Sequence, residues 1–280
     1  MPTFDTPEAI SVTARVDAGS IQYTAGERTD TLVEVRPREA KKDQDVRAAE
    51  QTEVSYGNGV LTIKTPKPSL FGRTGTVDVT VELPAGSRTD TTGAWTQVIG
   101  EGRLGQTRVK TSSGDVRLDT TGPLHLTASH GSITVDHVEG AAEISTSSGS
   151  LRLGTVDGTA TLKNSHGTTT IGTVTGELRV RGANGDIDIA HAEDSVTAVT
   201  AHGTLRVGEA TRGTIQLETS FGAIEIGVSE GTAAWLDVSS SSGQVRNTLT
   251  ASDSPDNTED SVKIRARTKH GNIDIRRAKP

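Results

Sequence analysis

The chain has 280 residues, a formal charge of −7 and no cysteine. The acidic balance argues against general nucleic-acid binding, which needs a basic face, and the missing thiols exclude a disulfide framework and a thiolate metal site. No stretch approaches the roughly 18 apolar residues of a membrane span, and the opening Met1–Glu8 lacks the basic segment and apolar run of a signal peptide, so a soluble, cytoplasmic protein is expected.

Residues 1–90 read as a β-rich cap. Ile10–Val16 alternates apolar and polar residues, Asp17–Gly19 turns, and Ser20–Tyr23 restarts the strand. Ala25–Glu27 is a turn before Thr31–Arg36. Residues 41–52 combine good helix formers with mixed charge and predict the one short helix. Tyr56–Gly59 is a turn, Leu61–Ile63 follows it, and Thr65–Pro68 breaks the pattern before an expected loop at Ser69–Gly75. Val77–Leu83 is the clearest strand of this region, ended by Pro84–Gly86.

Residues 91–280 continue without a break into a repeat domain, with 91–110 as a looser first coil. From 111 to 226 a nine-residue unit recurs: Gly, any residue, apolar, polar, apolar. Its glycines run Gly114, Gly122, Gly131, Gly140, Gly149, Gly158, Gly167, Gly176 and Gly185, then Asp194 in a Gly slot, then Gly203, Gly213, Gly222 and Gly231. Two kinds of unit alternate, so the true period is 18. Pairs such as Val116/Leu118, Ile133/Val135, Leu151/Leu153, Ile187/Ile189 and Ile224/Ile226 mark strands with one buried face. The seventh residue after Gly is small or apolar, and is expected inward: Val138, Val156, Val174, Ala192 and Ala210 in one kind, Ser129, Ser147, Ser165, Ala183 and Ala201 in the other. Glycine, and Asp194 in its place, are expected to turn the chain at positive φ.

A nine-residue unit is too short for a strand plus a crossover helix, so the apolar pairs can share a core only in a solenoid. The fold expected is all-β: a parallel β-solenoid, or β-helix, of about 18 residues per coil with two main strands. The preference of parallel crossovers points to a right-handed wind. A thin interior suits the low aromatic content of 2%. Residues 248–261 are polar and turn-rich and read as a loop inserted in the last coil; Val262–Ala266 and Gly271–Ile275 resume the repeat. Arg276, Arg277 and Lys279 close the chain, where charge near a sheet edge discourages stacking.

The segments Ser112–Leu118, Ser147–Leu153, Ala183–Ile189 and Lys269–Ile275, with the opening Ile10–Val16, Gly19–Tyr23 and Ala25–Asp30, resemble a bacterial domain-of-unknown-function family of β-strand repeats, often labelled "putative adhesin". The resemblance covers nearly the whole chain. It implies the repeat fold and a surface role, and supplies no catalytic motif.

His130, His166 and His202 recur every 36 residues in one column with Ser113, Ser148, Asn184 and Phe221. Alternate coils would hold their backbones about 9.6 Å apart, too far for a shared metal, so they read as exposed turn residues. The Ser column 112, 129, 147, 165, 220 lacks a unique His and Asp setting and reads as a small-residue inward corner. Asp115, Asp186 and Asp188 follow turn glycines, but the calcium nonapeptide pattern needs Asp in successive units, and here the slot varies. The outward positions (Arg117, Thr134, Glu143, Arg152, Thr161, Thr170, Arg179, Asp188, Thr197, Arg206, Gln216, Glu225) form a mixed polar face. Trp95 and Trp235 are expected to plug the core ends. No catalytic, cofactor-binding or metal-ligating residue is assigned. The expectation is a non-catalytic scaffold or protein-interaction module with a protein partner and no cofactor. The alternatives are a surface adhesin and an enzyme with its site on the 84–110 or 248–261 loops.

Overall fold

The computed structural model describes residues 2–66, 75–250 and 260–278; most of the expected loops at 69–75 and 248–261, and Lys279, lie outside the described residues. The fold divides into two compact units, Met1–Glu139 and Gly140–Pro280. Each is a solenoid of parallel strands, as the nine-residue alternation requires.

The first unit contains β1 (Thr3–Asp5), β2 (Ser11–Arg15), β3 (Ala18–Gly26), β4 (Asp30–Pro37), α1 (Asp43–Glu50), β5 (Glu53–Gly57), β6 (Val60–Lys64), β7 (Val77–Pro84), β8 (Arg88–Leu104), β9 (Thr107–Ser113), β10 (Val116–Thr121), β11 (Leu124–His130) and β12 (Ile133–Val138). One parallel stack runs β6–β2–β8–β9–β11 and the other β7–β3–β8–β10–β12. Segment 88–104 is therefore no loose coil or loop. It is one continuous strand that serves both stacks.

Antiparallel strands close the N-terminal end: β5 lies on β6, β4 on β7, and β1 on β4. The β5–β6 hairpin turns on Asn58 and Gly59, at φ 52° and 75°, as a two-residue turn with both central residues at positive φ requires. Helix α1 lies within the expected 41–52 and packs on β4 and β7. Its buried Asp45 accepts hydrogen bonds from the Glu39 and Thr76 backbone N–H groups at 3.2 and 2.9 Å, which ties the helix to both approaches.

The core of this unit includes Tyr23, whose hydroxyl lies 2.7 Å from the Thr91 hydroxyl. Burial pushes the phenol well above its ordinary range, with the Thr91 hydrogen bond opposing. The unfolded chain loses this proton near pH 10, while the native phenol keeps it. Stability linked to Tyr23 is thus complete below about pH 10 and falls as pH rises. Tyr23→Phe should cost about 1 kcal/mol at pH 8, through the lost hydrogen bond, and the gap to wild type should narrow above pH 10. Urea titrations at the two pH values test this; a constant gap would refute it.

The second unit contains β13 (Ala142–Ser148), β14 (Leu151–Val156), β15 (Ala160–His166), β16 (Thr169–Val174), β17 (Leu178–Asn184), β18 (Ile187–Ala192), β19 (Val196–His202), β20 (Leu205–Ala210), β21 (Gly213–Phe221), β22 (Ile224–Val228), β23 (Ala233–Ser242), β24 (Val245–Asn247), β25 (Ser261–His270) and β26 (Ile273–Arg277). The first registers step by 18, as in Ala142↔Ala160 and Leu151↔Thr169. Later ones step by 19, as in Val196↔Ile215, where the glycine spacing lengthens.

The coil order departs from chain order at the end. One stack reads β13–β15–β17–β19–β21–β25–β23, and the other β14–β16–β18–β20–β22–β26–β24. The chain lays down β23 and β24 as the outer coil, then returns to insert β25 and β26 beneath it. β24 covers β26 only as far as Ile275, so Arg276 and Arg277 lie just past its last pair. Arg277 donates to the Ser229 and Thr232 carbonyls, both at 2.8 Å.

The expected inward positions hold in part. Val156, Val174, Ala192 and Ala210 are buried, but Ser147 is exposed and Ser165, Ala183 and Ala201 are half-buried. The buried corner lies one residue earlier, at Thr146, Asn164, Thr200, Thr219 and Thr268. Three of these side chains grip a turn-glycine carbonyl: Asn164 on Gly149 at 3.1 Å, Thr219 on Gly203 at 3.2 Å and Thr268 on Gly222 at 3.1 Å. Thr200 donates to the His202 carbonyl at 3.4 Å instead, and the buried Thr146 hydroxyl has no hydrogen-bond partner. Asp194 also differs from expectation. Asn58 is the only positive-φ non-glycine among the described residues, and the Asp194 carboxylate accepts the Ser195 N–H at 2.6 Å instead.

Candidate interaction surface

Within each unit the histidine column keeps its expected register, with one addition in the second. In the second unit Ser148, His166, Asn184, His202, Phe221, His270 and Ser242 lie side by side along one turn corner. His130 of the first unit, His166, His202 and His270 are all exposed. The rings of His202, Phe221 and His270 form a pile, with centroids 5.1 and 4.8 Å apart and planes within 5° and 9° of parallel. His270 escaped the sequence pattern because the returning coil places it beside a residue 49 positions away. Its position just before Gly271 was the available signal.

The other columns resolve into structural roles. Asp115 accepts the Ser132 N–H at 2.8 Å, and Asp186 the Thr204 N–H at 2.7 Å; each carboxylate caps the turn of a neighbouring coil. Asp188 lies 3.5 Å from Arg206. Among the described residues no three His, Cys, Asp or Glu side chains converge as a metal site would need. One Ser, His and carboxylate do meet. Glu209 accepts from Ser229 at 2.7 Å and contacts His191 at 3.0 Å. The carboxylate sits between the hydroxyl and the imidazole, so His191 is not placed to take the Ser229 proton as nucleophilic catalysis would require.

Trp95 and Trp235 do not plug the core. They are 63% and 66% exposed. Each stands at an outward position of its strand; Trp235 lies between the more buried Ala234 and Leu236 and registers with exposed Lys263.

Beside Trp235 runs a row of charge. Strand β25 alternates buried Val262, Ile264, Ala266 and Thr268 with exposed Lys263, Arg265, Arg267 and Lys269. Neighbouring outward residues on a strand are about 6.6 Å apart, so each adjacent pair of cations repels by about 0.6 kcal/mol even at the dielectric of water. Arg267 is neutralised by Asp237 at 2.6 Å and also donates to the Asp237 carbonyl at 2.6 Å. The Arg267 hydrogen bond to the carboxylate, with the charges of Arg267, Arg265 and Lys263 nearby, holds the Asp237 carboxyl below the usual carboxylate range. Among the described residues Lys263, Arg265 and Lys269 have no ion pair. A pocket of about 240 Å³ lined by Gln216, Glu218, Asp237, Arg265 and Arg267 opens between β21, β25 and β23. Basic residues, an exposed indole and the ring pile thus gather on the last coils, and the signal was legible as Lys-x-Arg-x-Arg-x-Lys in the sequence.

No helix among the described residues is long and apolar enough to cross a membrane. No curated protein matches the chain significantly. Among solved structures the chain is similar to a "putative adhesin" from Bacteroides fragilis, at 15% identity over 98% of this chain and 95% of that one, with a TM-score of 0.40. It is also similar to a "putative lipid binding protein" from Parabacteroides distasonis, at 12% identity over 99% and 96%, with a TM-score of 0.43. A "putative adhesin" from Parabacteroides merdae matches at 14% identity over 80% and 93%, with a TM-score of 0.42. The Toastrack DUF4097 family model matches residues 8–276, nearly the whole chain and every coil of both units, and the chain belongs to that family.

Proposed function

We propose that this protein is a non-catalytic β-solenoid scaffold that binds a protein partner through the outward face of its last coils. The observation that carries this reading is the concentration of exposed Phe221, Trp235 and the β25 cations on β21, β25 and β23. Aromatic residues and arginine are the side chains that most often anchor protein interfaces. The long parallel stack supplies rigidity and a regular side-chain spacing, which suits a surface that presents groups in fixed register. The Ser229–Glu209–His191 order supports a non-catalytic role.

The test is a crosslinking pull-down from native cells with wild type and a Phe221→Ser/Trp235→Ser double variant. A single stoichiometric partner held by wild type and lost by the folded variant is expected. A hydrolase or transferase activity of the purified protein, abolished by one substitution, would overturn the reading.

A further inference from the structure

We propose that the β25 row binds an acidic segment of a partner protein in extended conformation, with carboxylates on alternate residues. This rests on the protein-partner reading and names the partner's chemistry. Lys263, Arg265, Arg267 and Lys269 form a single file along one strand, not a broad basic patch. Acidic groups border the file: Glu218 registers with Arg267 from β21, and Asp237 bonds Arg267 from β23. A flat anionic surface would meet these carboxylates together with the cations. A linear anion laid along the strand passes these carboxylates only at Arg265 and Arg267, while Lys263 is flanked by Thr214 and Trp235.

Spacing selects the kind of linear anion. An extended peptide repeats its same-face side chains every two residues, about 6.6 Å, which is the spacing of the cations themselves. Each carboxylate can then face one cation in register. Asp237 fixes Arg267 from the side, so that side chain is positioned before any ligand arrives, and Arg265, registered with Asp237, makes no ion pair among the described residues. The pocket beside Arg265 and Arg267 is also lined by Glu218 and Asp237, so a ligand carboxylate there must face the two guanidinium groups from above the strand rather than enter between the acids. Trp235, registered with Lys263, offers an apolar contact at the start of the row. Because charge dominates, binding should weaken steeply with salt.

The experiment measures fluorescence anisotropy of a labelled (Glu-Ser) repeat peptide of twelve or so residues with the full chain at low salt. Competitors are a peptide with the same glutamates in one block, a (Gln-Ser) repeat, and polygalacturonate. Variants are Lys263→Gln/Arg265→Gln, and Arg179→Gln/Arg181→Gln on β17 as an equally charged control, each checked for native thermal unfolding. The expected result is at least a tenfold loss of affinity in the β25 variant, less than twofold in the β17 control, and preference for the alternating peptide. Equal binding by the two variants, or tighter binding of the block peptide or of polygalacturonate, would overturn the proposal. The crosslinking pull-down repeated with Lys263→Gln/Arg265→Gln separates the two readings. A partner retained by this variant sinks the acidic-segment proposal and leaves the scaffold reading standing; no partner with wild type sinks the scaffold reading itself.

Discussion

Gly185→Ala is expected to destabilise the second unit by about 3 kcal/mol, whereas Gly182→Ala, three residues earlier, should be neutral within about 1 kcal/mol. Gly185 has φ 142°, a region that side chains rarely enter, and a Cβ there would sit 2.1 Å from the Gly167 carbonyl oxygen. That oxygen belongs to the backbone of the adjacent coil and cannot step aside without breaking register. The same stack recurs at Gly167 against Gly149 and at Gly203 against Gly185, with 2.2 Å in both cases. The column is thus a line of backbones in contact, and the strain of one substitution falls on the coil interface. In a solenoid that interface is the unit of stability, since each coil touches only its neighbours. Gly182 occupies the buried corner instead, beside Asn164 of the adjacent coil, with ordinary φ. Its new Cβ would meet the Thr200 hydroxyl at 3.2 Å, a side chain able to adjust, and the methyl would restrict the unfolded chain. Urea denaturation of both variants is the measurement. Equal losses at the two sites would show that glycine content, not the stacked turn, governs stability here.

The contrast also marks how much of this fold the sequence carries openly. From Gly140 to Gly222, with Asp194 in its slot, the residues two and four places on are buried, because strict alternation leaves only one face to bury; after Gly231 the pattern fails, with Ala233 half-buried and Trp235 exposed. Helix α1 was legible from propensity alone. The corner was not, because Thr146 and Ser147 are both small and polar, and composition cannot say which one turns inward. Nor was the coil order. β23 and β25 carry the same alternation, and stacking registers leave no local trace of which coil returns beneath which. The exposed tryptophans are a different case. Their size suggests burial, yet the parity of Trp235 against Ala234 and Leu236 places it outward, and parity outranks size when a strand has a single buried face. The candidate surface follows the same division. The β25 cations are visible as alternation, but their juxtaposition with Asp237 and the stacking of Phe221 on His270 exist only because the chain doubles back.

Asn164→Asp should have the other large effect, a loss of about 3–5 kcal/mol at pH 7. Asn164 is 2% exposed, and its Nδ2 group donates toward the Gly149 and Gly167 carbonyls at 3.1 and 3.3 Å. Its Oδ1 is buried with no hydrogen-bond partner. A carboxylate of the same shape would turn a donor into an acceptor facing two carbonyl oxygens, with a buried charge and no cation to balance it. Its pKa must therefore rise in the native state above the unfolded value of about 3.9. The native variant then binds more protons than the unfolded one at intermediate pH, and its stability falls as pH rises. The penalty relative to wild type should be smallest near pH 4, where the protonated carboxyl can still donate to Gly149, and largest at neutral pH. Asn164→Thr, which reproduces the residue found at Thr146 and Thr200 in the same column, should cost no more than about 1 kcal/mol. Denaturation of the three proteins at pH 4 and pH 7 decides the matter: a penalty for Asn164→Asp that does not change with pH would mean that the corner admits water, and that the donor–carbonyl ladder contributes little to holding the coils in register.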